Sequence, residues 1–295
     1  MINFSFEKLY NLALSEKIKL KIEKIILVIA MVSFLLHLAL IYLKRYDLLF
    51  VFEESNFFDN PIAAIYTPFS FILIYEVYLL IYYLPQSFTT YITKQYEIIT
   101  LIIIRKLFKD LSTLELSENW FEIKGDLQFT YDILASLILF YLIFQFQKQG
   151  RKKFINEDRL IPKVERFIAQ KKIIATILVP LFFIMASITF FSWIYESSFS
   201  SEQIPSFESI NNLFFDEFFT VLILVDVILL LISFFYTDQF HKIIRNSGFI
   251  VSTILIRLSF GVSGLISTIL IVVAVLFGLL IILIHNQYQK GLAQQ

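Results

Sequence analysis

The chain has 295 residues, of which 58% are hydrophobic and 17% charged, with a mean hydropathy of +0.74. A water-soluble chain carries about 25% charged residues, so this composition excludes an ordinary soluble domain. Zero net charge gives no nucleic-acid surface, and the absence of cysteine excludes disulfides, thiolate metal sites and cysteine nucleophiles.

Residues 1–24 read as a charged cytoplasmic segment ending in Lys17, Lys19, Lys21 and Lys24, with no cleavable signal peptide. A first span runs from about Ile25 to Leu43. The next loop carries Asp47, Glu53, Glu54 and Asp59 and turns at Asn60 and Pro61. A second span, 62–84, is closed by Pro85. The less apolar stretch 88–108 and an apolar run at 129–146 complete a first group, residues 25–147.

Residues 148–172 are the most basic part of the chain. They hold Lys148, Arg151, Lys152, Lys153, Arg159, Lys163, Arg166, Lys171 and Lys172 against Glu157, Asp158 and Glu165. Positive loops stay in the cytoplasm, which places this linker and the N-terminus on the same side. An even number of crossings must separate them, so 88–108 is expected to cross as well. Its Lys94 and Glu97 are then tolerable only against protein or at an interface.

The second group, 173–285, follows the same order. A span at 173–194 contains Pro180, which is expected to kink it. An acidic external loop at 195–212 precedes a span at 213–236 and a turn holding Lys242 and Arg245. The apolar run from Phe249 to Ile284 would extend about 54 Å as one helix, against a hydrocarbon core of about 30 Å. A break at Gly261-Val262-Ser263-Gly264 divides it in two; one kinked helix is the alternative. Residues 286–295 form a tail.

Each group has an acid in one apolar span and an arginine in the next: Glu76 and Arg105, then Asp226 and Arg257, 29 and 31 residues apart. A charge at bilayer mid-depth costs about 2.5–3.5 kcal/mol on insertion scales, so such groups are expected to pair. The expected fold is an all-α polytopic membrane protein of about eight spans (seven possible) in two parallel four-helix repeats, with both termini cytoplasmic.

Ion- or solute-binding candidates are Glu76, Glu97, Arg105, Asp226 and Arg257. The alternative for the charged pairs is a permanent tie between helices. A voltage sensor is excluded by the lone arginine per span. Ala274 and Gly278 form a small-xxx-small pair of the kind that allows close helix packing, a spacing that chance also produces.

The sequence lacks HExxH, GxSxG and P-loop patterns, and His37, His241 and His285 show no ligand spacing, so no enzyme, metal or cofactor is expected. Heavy use of Phe, Ile and Lys suggests a bacterial inner membrane. The leading expectation is a channel or secondary transporter for a small ion or polar solute, as a homo-oligomer or with a partner membrane subunit. A scaffold or sensor subunit packed on a partner membrane protein is the alternative.

Overall fold

The computed structural model describes residues 2–46, 61–113, 124–152, 162–199, 207–237, 239–262 and 264–294. Among them every regular element is helical: α1 (Ile2–Leu14), α2 (Glu16–Arg45), a 3₁₀ turn (Pro61–Ile65), α3 (Tyr66–Tyr83), α4 (Phe88–Thr113), α5 (Lys124–Gly150), α6 (Pro162–Phe199), α7 (Phe207–Phe234), α8 (Phe240–Phe260) and α9 (Leu265–Ala293). The acidic segment 47–60, Trp120 and residues 153–161 of the basic linker lie outside the described residues.

Apolar medium forces each backbone group to bond within its own segment, and helices satisfy that demand. Hydroxyls meet it by bonding back onto the preceding turn. Thr93 donates to Thr89 O (2.7 Å), Thr100 to Tyr96 O (3.0 Å) and Thr253 to Ile250 O (2.9 Å). Among the described residues, six stretches are long and apolar enough to cross a membrane: Phe6–Arg45, Leu127–Gly150, Val164–Thr189, Glu217–Phe234, Phe240–Phe260 and Leu265–Leu292; Thr67–Tyr83 is apolar but shorter. Their outward faces expose Val28, Met31, Leu35, Phe140, Phe183 and Ile184, a surface matched to lipid rather than water. These features describe a multi-pass helical membrane protein.

The long run from Phe249 to Ile284 is two helices. α8 ends at Phe260 and α9 begins after Gly264, whose φ of 75° is a conformation that glycine adopts without strain. The two fold back on one another, with Gly248 against Ile281 and the Ser252 hydroxyl donating to Ala274 O at 2.6 Å. Elsewhere α6 runs through Pro180 as one helix. Residues 162–172, the end of the basic linker by sequence, are its first turns.

α4 is too polar to count among the six, and it is enclosed by protein instead. Phe88, Tyr91, Ile92, Gln95, Tyr96, Ile99, Ile103 and Arg105 are all buried. It packs on α3, α5 and α8, while α5 packs on α9. The α5–α9 contacts rise together in number, Asp132 with Thr268 and Gln149 with Asn286, so these two helices run parallel.

Candidate functional site

The polar groups of the interior are gathered around α4. Its buried side chains recur three and four residues apart on more than one face, so a single helix presents polar atoms to several neighbours. Toward α3, Arg105 Nη2 donates to Glu76 Oε2, and both residues are buried. This is one of the two acid–arginine pairs expected from sequence. Toward α5, Gln147 Nε2 donates to Glu97 Oε1 at 2.6 Å, and Lys94 bridges the other Glu97 oxygen at 2.6 Å.

The second pair does not close. Asp226 is buried on α7 (1% exposed) and accepts from Gln95 Nε2 of α4 at 3.0 Å. Tyr91 of α4 and Lys171 of α6 lie within electrostatic reach of its carboxylate, and Arg257 is not among its partners. The reason lies in which way each acid faces. Both Glu76 and Asp226 turn to α4, whereas Arg257 lies on α8 and is half-buried.

Asp226 Oδ1 and the Tyr91 hydroxyl are both buried, and the hydroxyl lies within reach of the carboxylate.

Three further contributors escaped the sequence reading. Asp132, in the apolar run of α5, accepts from Thr268 Oγ1 (2.5 Å) and Gln128 Nε2 (2.8 Å) and is bridged by Lys106 at 2.9 Å. It is a lone acid inside a span, the same signal that singled out Glu76 and Asp226. Tyr96 of α4 bonds Ser252 of α8 at 2.6 Å, which no charge pattern reveals. Lys171 is buried too, although its position in a basic run marks it as a solvated base.

From Tyr91 to Lys106 the polar residues of α4 cover about 22 Å along its axis at 1.5 Å per residue. Such a column can stabilise a charge at several depths, exchange protons, or hold the helices in register. Among the described residues no group of three or more His, Asp or Glu is placed to hold a metal ion. Comparison with protein families, curated proteins and solved structures finds no match in any of the three.

Proposed function

We propose that the chain is a channel or secondary transporter for a small ion or polar solute, with Asp226 as its principal binding carboxylate. The observation that carries the reading is the enclosed Asp226, 1% exposed and faced by Gln95 and Tyr91 of α4 and Lys171 of α6. An ionisable group held deep among apolar helices is a functional site by default, because it is costly to keep. Glu76, already bonded by Arg105, and Glu97, bonded twice, line the rest of the column.

We place this column in a bundle of eight crossings, with α3 and α4 counted as spans, in a bacterial inner membrane. The basic residues in the first turns of α2 (Lys17, Lys19, Lys21 and Lys24), around 148–172 and in the first turns of α8 (Lys242 and Arg245) face the cytoplasm. Two parallel repeats, α2–α5 and α6–α9, are supported by the parallel pairing of α5 with α9 and by a matched contact. Phe69 stacks near Phe108 (5.3 Å) and Phe219 near Phe260 (6.0 Å). Each first Phe lies seven residues before the acid of its half, and each second Phe three residues after the arginine. Such repeats relate by an axis along the membrane normal.

The test is flux in proteoliposomes. Asp226→Asn abolishes solute or ion movement while the purified protein stays monodisperse, and Glu76→Gln reduces it. Wild-type flux in Asp226→Asn would end the carboxylate mechanism. The scaffold reading draws on the Glu76–Arg105 bond, which ties two helices without leaving a charge to spare. It predicts no flux and a membrane partner that co-purifies.

A further inference from the structure

Asp226 is answered from α6 by a lysine. Lys171 is buried (1% exposed), and its ammonium donates to Gln86 O at 2.6 Å. The rings of Phe88 and Phe167 stand 4.7 and 5.4 Å from it, within range of a cation–π contact. The ring contact between Phe182 of α6 and Phe218 of α7 sets the register of these antiparallel helices. In that register Lys171 is level with about Leu229, roughly 4.5 Å along the axis from Asp226. Phe88, Tyr91 and Gln95, at spacings of three and four, put one face of α4 against both residues.

We infer that Lys171 and Asp226 form a proton-carrying pair, and that the proton is an ion this chain moves; the inference rests on the transport reading above. A metal cation needs a shell of oxygens, about six to eight for calcium, whereas the groups that bear on Asp226 are one amide, one hydroxyl and one ammonium. A fixed ammonium close by also repels any second cation. A proton needs only the lone pair on Oδ1.

The groups that bear on Asp226 are Lys171 from α6 and Tyr91 and Gln95 from α4. The buried residues of α8 are uncharged. Lys171 in turn faces Gln86 O, Phe88, Phe167 and Asp226. From one side of the membrane Asp226 takes up a proton, an O–H bond forms at Oδ1 and the carboxylate charge is lost. Release to the other side breaks that bond and restores the charge, which the Lys171 ammonium stabilises. One proton enters, one leaves, and no electron moves. Lys171 is therefore a positioning residue.

Two measurements on the purified full chain decide this. Infrared titration follows the C=O band of a protonated carboxyl group, and pyranine-loaded proteoliposomes report luminal pH under a potassium diffusion potential. In wild type a titrating band and a luminal pH change are expected, and Asp226→Asn removes both. Without its counter-charge the carboxylate binds protons more tightly, so Lys171→Met moves the titration to higher pH by about one to three units. Lys171→Arg restores the wild-type profile. An unshifted titration in Lys171→Met overturns the pairing. Liposomes that pass sodium or potassium but no protons overturn the proton as the ion moved and leave transport standing; liposomes that pass nothing overturn both.

Discussion

Glu76 and Arg105 sit almost out of reach of solvent, with side chains 4% and 7% exposed. Taking two charges out of water is unfavourable, and their mutual attraction offsets that loss only while both remain. Glu76→Ala leaves a guanidinium buried beside apolar side chains and is expected to destabilise the protein by about 3–5 kcal/mol. The double substitution Glu76→Met with Arg105→Met should recover most of that loss. Thermal unfolding in detergent gives both values, and a double variant no more stable than the single one would show that the pair has further obligations. The same measurement separates the two acids by role. Asp226→Asn keeps the size and the Gln95 neighbourhood of the carboxylate, so its effect should fall on transport rather than on folding.

At the scale of elements, the meeting of α4, α8 and α9 depends on what is missing from one residue. A Cβ added to Gly278 would meet Tyr96 Cζ at 2.9 Å and Ser252 Oγ at 3.2 Å. The small-xxx-small spacing of Ala274 and Gly278 is thus a packing device, and Ala274 O is the acceptor for Ser252. Gly278→Ala is expected to destabilise the fold by about 1–3 kcal/mol, the usual range for forcing a methyl into a packed core. Adding Tyr96→Phe removes the hydroxyl nearest the new methyl and should return part of it, as a double-mutant cycle measures.

The helices themselves were legible, because apolar runs bounded by charge, Pro85 and Gly261–Gly264 leave few other readings. Their sideways neighbours were not. Which face of α7 turns to α4 depends on helix rotation, and a two-residue difference in spacing hides it. Hence the order of charges points Asp226 to Arg257, whereas in the fold it accepts from Gln95. Lys171 was misread for a related reason: a base in a basic run looks topogenic until the helix carrying it is seen to continue into the bundle. His241 and His285 looked unrelated, yet the α8–α9 hairpin stacks their rings 5.2 Å apart. The ends of α5 and α9 also resemble one another, Gln145-Phe146-Gln147-Lys148 beside Gln287-Tyr288-Gln289-Lys290.

For the whole molecule, the absence of cysteine makes the topology directly measurable. Exposed Lys152, Gln239 and Lys290 can each be replaced by cysteine and probed with a membrane-impermeant thiol reagent. Eight crossings predict that Lys152→Cys, Gln239→Cys and Lys290→Cys react only from the cytoplasmic side, and that Ser201→Cys reacts only from the opposite side. External labelling of Lys290→Cys would give an odd number of crossings and remove the parallel arrangement.

The enclosure of α4 has a consequence for biogenesis. It leaves the ribosome early, yet Gln95 and Tyr96 bond residues of α7 and α8, synthesised more than 130 residues later. Until those helices arrive, the nascent first half holds amide and hydroxyl groups that lipid cannot solvate. A chain halted after residue 150 would therefore remain with the insertion machinery or be degraded. Supplying residues 151–295 as a separate polypeptide should rescue it.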